Sequence, residues 1–114
     1  MTHQHKKMAS GYWNKLTLAE QMANVGSEVE RTISWKKKKN NEYSRKAFER
    51  ALELLALTIS CKDNVKRLKE LTRLRETLID YFAGDNQFSS SDELWQNYFF
   101  AFNYNARMNL VADS

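Results

Sequence analysis

Proline is absent from this sequence and glycine occurs only three times. An all-β fold places those residues at its many tight turns, so their scarcity excludes a sandwich or barrel and leaves helices as the default. A single cysteine, Cys61, excludes an internal disulfide and fits a reducing compartment. The only two histidines, His3 and His5, stand within the first ten residues as an H-x-H with no further ligands beside them. They are expected to belong to a mobile tail rather than to a metal site. Their placement also removes the Glu-x-x-His pairs on which di-iron sites in helical bundles depend. No run approaches the roughly 20 apolar residues of a membrane span, and the N-terminus lacks the apolar stretch of a signal peptide. A cytoplasmic location with no membrane partner follows by default. A glycine-rich phosphate loop is missing too. Cys61 has no histidine beside it, and Glu20, Glu28, Glu30, Glu76 and Asp80 are accounted for as solvated faces or helix ion pairs. No enzyme, no catalytic residue and no cofactor is therefore expected.

What is present is hydrophobic material in helical register. The 114 residues are 42% apolar and 28% charged, enough for one folded domain and too few for two. Residues 1–16 read as a flexible basic tail with an aromatic entry segment, Gly11 to Leu16, whose Tyr12 and Trp13 are expected to pack the tail onto the body. Residues 17–109 read as four helices, and residues 110–114 as a frayed end. Thr17-Leu-Ala-Glu20 is a capping box that opens helix 1, which is expected to run to about Lys37. At 100° per residue, Leu18, Met22, Val25, Val29 and Ile33 form a narrow seam, and Gly26 beside it permits close helix approach. Helix 2 is expected from Glu42 to Ser60 with a wide apolar arc, and helix 3 from Asp63 or Asn64 to Ala83, stopping at Gly84. A second capping box, Ser90-Ser-Asp-Glu93, opens helix 4. Short links force neighbouring helices to be antiparallel, so the expected fold is an all-α, antiparallel up-down four-helix bundle.

The net charge of +4 is unevenly distributed. From Lys36 to Arg75 there are thirteen Lys or Arg against five acids, a net +8 that leaves −4 for the rest. Three groups make up this excess. Lys36, Lys37, Lys38 and Lys39 end helix 1, where cations also complement the helix dipole. Arg45, Lys46 and Arg50 lie on helix 2. On helix 3, Lys62, Lys66, Lys69 and Arg73 fall within about 60° of arc, opposite the apolar face. If these groups converge on one outer wall, the surface suits a nucleic acid, RNA or DNA, bound through its phosphates without regard to sequence. Trp35, beside the lysine run, offers an aromatic platform. Arg75 falls on the apolar face of helix 3 and Arg67 at its margin, so each needs an acidic partner such as Glu28 or Glu30, or one from another subunit.

Helix 4 carries more aromatic surface than one core hides. Trp95, Tyr98, Phe99 and Phe102 take the inward arc, while Phe100 and Tyr104 form a second stripe on another side. Trp35, Leu57, Trp95, Phe100 and Tyr104 are the candidate oligomer or partner interface. Two functions are thus expected as alternatives: a nucleic-acid-binding accessory protein that forms a homo-oligomer, or a protein-interaction module working through helices 2 and 4.

Four helices in a chain of this size, basic middle elements, and a third helix written Arg67-Leu-Lys-Glu-Leu-Thr-Arg-Leu-Arg75 resemble one known family. It comprises the four-helix-bundle proteins encoded by 23S rRNA intervening sequences and the related accessory variability proteins of diversity-generating retroelements. The similarity spans Thr17 to about Arg107. It implies a ring-like homo-oligomer, a pentamer in the accessory proteins, whose basic surface contacts RNA or DNA and a reverse transcriptase.

Overall fold

Thr17 opens the first helix through both arms of its capping box. Its hydroxyl accepts from the Glu20 amide at 3.1 Å, and the Glu20 carboxylate accepts from the Thr17 amide at 2.9 Å. The computed structural model describes residues 11–112, with side chains placed through Ala106. The basic tail and the histidine pair of residues 1–10 and the end of the chain at 113–114 lie outside the described residues.

The described residues form four α-helices: α1 (Leu18–Lys37), α2 (Asn41–Ser60), α3 (Leu68–Ala83) and α4 (Asp92–Ala112). The expected fraying after Asn109 is replaced by helix through Ala112. Two 3₁₀ turns, Trp13–Lys15 and Lys62–Arg67, complete the described fold. Between α1 and α2 the chain reverses over Lys38, Lys39 and Asn40. Lys39 takes a left-handed φ of 62°, and the Asn40 side chain caps α2 by accepting from the Tyr43 amide at 3.0 Å. No helix among the described residues is long and apolar enough to cross a membrane.

α1 is the central element. It packs on α2 along one side and on α4 along the other, while α3 packs chiefly on α2. Of the expected seam, Met22, Val25, Val29 and Ile33 are fully buried, and Leu18 is partly buried against the same core. They meet Phe48, Ala51, Leu54 and Leu55 of α2, Leu71, Leu74 and Leu78 of α3, and Trp95 and Phe99 of α4 in one cluster. Burying each of these larger side chains contributes roughly 1.5–3 kcal/mol. Gln21, Glu28 and Thr32 are also buried, because flanking helices cover α1 beyond its apolar stripe. Buried polar groups of this kind must be paired. Glu28 accepts from Arg31 at 2.6 Å and from Arg50 at 3.3 Å, and the Thr32 hydroxyl donates to the Glu28 carbonyl at 2.8 Å.

Several expectations are corrected at the ends of elements. Gly11 to Leu16 is an integral part of the fold. Trp13 is 1% exposed, and its indole Nε1 donates to Thr58 Oγ1 at 3.0 Å. Gln21 Nε2 donates to the Trp13 carbonyl at 2.8 Å, and Asn64 Nδ2 donates to Gln21 Oε1 at 2.8 Å and to the Thr58 carbonyl at 2.9 Å. Cys61 joins the same network, donating to Asn14 Oδ1 at 2.8 Å. At α4 the cap shifts by one residue: the Ser91 hydroxyl accepts from the Leu94 amide at 3.1 Å, so the box read at Ser90 and Glu93 does not form. The residue before it is held elsewhere, since the Ser90 amide donates to Asn86 Oδ1 at 2.8 Å.

Candidate nucleic-acid interface

The expected basic groups are real, but they do not converge on one wall. Lys36–Lys39 end α1, next to the start of α2, and Lys36 reaches the end of α3 and the start of α4. Lys62 and Lys66 lie at the opposite end of α1, around a cleft of ≈ 780 Å³ that they line with Thr17, Leu18 and Gln21. A 20-residue helix separates those ends by about 30 Å. The ladder expected on helix 3 is broken for a second reason. Residues 62–67 are 3₁₀ rather than α, and at about three residues per turn Lys62 and Lys66 stand roughly 120° apart instead of 40°. Only Lys69 and Arg73 keep α-helical spacing, exposed on α3.

Ion pairing divides the cations further. Lys36 Nζ lies 2.8 Å from Asp92 Oδ1 and 3.2 Å from Tyr81 Oη, and Tyr81 donates to the same Asp92 oxygen at 2.6 Å. Partial burial opposes charge on both Lys36 and Asp92. Their mutual hydrogen bond and attraction, together with Tyr81, outweigh it, so the Lys36 pKa rises and the Asp92 pKa falls. Burial and the bond to Asp92 raise the pKa of the Tyr81 phenol. Lys46 pairs with Glu42 at 3.4 Å, and Arg50 with the buried Glu28. Arg67 pairs with Glu70 at 2.8 Å, within its own turn rather than with α1. Arg75 is exposed, because α3 leans on α2 and leaves that edge open for a long side chain to reach solvent. Lys37, Lys38, Lys39 and Arg45 are exposed and make no ion pair among the described residues.

The same corner holds two aromatic rings. Trp35 is half-buried and Tyr43 is 46% exposed, and their centroids lie 5.0 Å apart with the planes at 82°. Lys38 Nζ sits 5.0 Å from the centroid of the Trp35 ring, and Lys46 Nζ 5.6 Å from that of Tyr43. Trp35, Tyr43, Lys46 and Arg50 line an open cleft of ≈ 270 Å³. Cation–π contacts at exposed sites are worth about 0.5–1 kcal/mol each, so these ammonium groups are held loosely and stay available to an anion. Tyr43 was not singled out from the sequence. It follows the Asn40 cap by three residues, and that spacing places it against Trp35 once the turn is known.

The expected partner surface is also redistributed. Trp95 is 4% exposed and belongs to the core, where α1 and α4 clasp it, so it is not an interface residue of the folded chain. Leu57 is half-buried and packs against the core cluster. Phe100 at 68% and Tyr104 at 55% exposure stand free on α4, as their spacing required. Phe100 borders a groove of ≈ 400 Å³ between α1 and α4, with Ser27, Arg31, Gln96 and Asn103 on its walls. Among the described residues no cluster of His, Cys, Asp and Glu is arranged to hold a metal ion. No family model, curated protein or solved structure matches this chain.

Proposed function

We propose that this chain is a non-enzymatic nucleic-acid-binding protein whose contact surface is the corner where α1 meets α2. One observation carries the reading: Lys37, Lys38, Lys39 and Arg45, exposed and without ion pairs among the described residues, lie at the end of α1, in the turn and at the start of α2. That corner also holds the exposed ring of Tyr43 and the half-buried ring of Trp35, with Lys38 over Trp35 and Lys46 over Tyr43. Four exposed cations within nine residues, none in an ion pair among the described residues, attract a polyanion. Each phosphate they neutralise releases counterions, so binding weakens steeply with salt and tolerates any sequence. Lys62, Lys66, Lys69 and Arg73, also exposed and without ion pairs among the described residues, supply a second field, with Lys62 and Lys66 at the other end of α1.

The reading takes the fold as an antiparallel up-down bundle. The order of contacts supports this: Lys36 meets Asp92, Glu30 meets Gln96 and Gly26 meets Phe99, so that numbers fall along α1 as they rise along α4. Ser44 against Thr32 and Arg50 against Glu28 repeat the pattern between α1 and α2.

Fluorescence anisotropy of labelled RNA and DNA oligonucleotides across a salt series tests the proposal. Binding that falls by several powers of ten as salt rises is expected. Joint reversal of Lys37, Lys38 and Lys39 to Glu should abolish it with helicity intact, and reversal of Lys62, Lys66, Lys69 and Arg73 should weaken it less. Absence of binding at low salt, or binding indifferent to salt, would end the proposal.

A second reading rests on α4. Phe100 and Tyr104, one turn apart and both more than half exposed, form an apolar stripe suited to self-association of the chain.

A further inference from the structure

The mixture of rings and ammonium groups at the α1–α2 corner says more than that phosphates bind there. A surface selected only for phosphates needs no exposed aromatic ring, and a duplex offers a stacking partner none of its interior base faces. A cationic cleft also repels cationic ligands. The ligand chemistry that uses every group present is an anion with an accessible flat π-face.

We propose that this corner binds single-stranded nucleic acid, stacking separate unpaired bases on Tyr43 and on Trp35, whose planes stand at 82°, while Lys38, Lys46 and the neighbouring exposed cations Lys37, Lys39 and Arg45 hold the adjoining phosphates. The inference rests on the nucleic-acid reading above and narrows it to unpaired strands. Lys38 and Lys46 now lie over the two ring faces at 5.0 and 5.6 Å. Incoming phosphates draw these ammonium groups outward, and each uncovered ring accepts a base in their place. Because every base has a π-face, stacking of this kind is indifferent to sequence. Arg50, anchored on Glu28 at 3.3 Å, forms a fixed cationic wall on the third side of the cleft.

Indole fluorescence gives a direct readout. Of the three tryptophans, Trp13 and Trp95 are buried at 1% and 4% exposure, which leaves Trp35 as the one that meets a ligand. The full chain would be titrated with an oligothymidylate of about 12 nucleotides, within the range such surfaces occupy. The same strand in a duplex, inorganic polyphosphate of equal charge and thymidine monophosphate would be titrated in parallel. The expected result is fluorescence quenching and at least tenfold tighter binding for the single strand than for the other three. Tyr43→Ala should cost about tenfold in single-strand affinity, equivalent to about 1.4 kcal/mol, and leave polyphosphate binding unchanged. Tyr43→Phe should restore the loss. Circular dichroism of each variant confirms that the helices persist.

Equal affinity for strand, duplex and polyphosphate, unmoved by Tyr43→Ala, would overturn this inference while leaving the phosphate-binding reading in place. Monophosphate binding as tight as that of the strand would overturn it in favour of a nucleotide pocket. Failure of all four ligands to bind would remove both readings together.

Discussion

A β-carbon built on Gly26 of α1 would lie 2.7 Å from the Cβ of Phe99 on α4. The two helices approach so closely because α1 presents bare backbone at that point, and the Phe99 ring occupies the space a side chain would take.

Gly26→Ala therefore sets two effects against each other. Alanine favours the helix by about 1 kcal/mol relative to glycine. Forcing α4 away from a packed core costs typically 1–3 kcal/mol, and the atom met is the near end of the phenyl side chain, which cannot swing aside. Urea denaturation should show net destabilisation. A rise in the midpoint would mean that α1 and α4 stand further apart than described.

The Lys36, Tyr81 and Asp92 cluster predicts opposite behaviour at the two ends of the pH scale. The pKa of Asp92 is lowered by folding, so its contribution is complete above the ordinary carboxylate range and is lost as pH falls below about 4. The pKa values of Lys36 and Tyr81 are raised, so their contributions are complete below about pH 10 and are lost as pH climbs past it. Asp92→Asn should flatten both limbs of a stability profile and cost about 1 kcal/mol or less near neutrality, since the pair is partly exposed. Thermal melts from pH 3 to pH 11 would show it, and an unchanged acid limb would count against the cluster.

Neighbouring serines should respond differently. Ser91→Ala removes the hydroxyl that caps α4 and should cost about 0.5–2 kcal/mol. Ser90→Ala should be close to neutral, because Ser90 acts through its backbone amide and carbonyl. A larger effect at Ser90 would restore the cap read from the sequence.

Self-association is the fourth expectation. Sedimentation at rising concentration should show oligomers that Phe100→Ser with Tyr104→Ser disperses, at unchanged helicity. A chain that sediments as a monomer throughout would exclude the α4 stripe as a surface for its own copies.

The helices themselves were legible because their signals are local. Thr17 and Glu20 cap each other across three residues, and the Met22, Val25, Val29 and Ile33 spacing needs no knowledge of partners. The candidate site was legible only as composition. Whether Lys62 and Lys66 share a face with Lys69 depends on 3₁₀ or α winding, a difference of about 20° per residue that no apolar pattern in Lys62–Arg67 records. Whether the helix 1 and helix 3 cations share a wall depends on which helix ends meet, a property of the whole fold. Trp13 was legible as an aromatic packing onto the body but not as a central core residue, for a related reason. A lone indole outside any helical period shows no partner until Thr58, 45 residues away, is brought beside it.

The indole of Trp13 has one more implication. It plugs the base of the molecule, and its ring nitrogen, its carbonyl and the side chain of Asn14 each tie down a different later segment. Trp13 and Asn14 are thus a keystone of the fold. Cutting the chain just before Leu18 would extract a central filler and take from Gln21, Thr58 and Cys61 the bonds they make to Trp13 and Asn14.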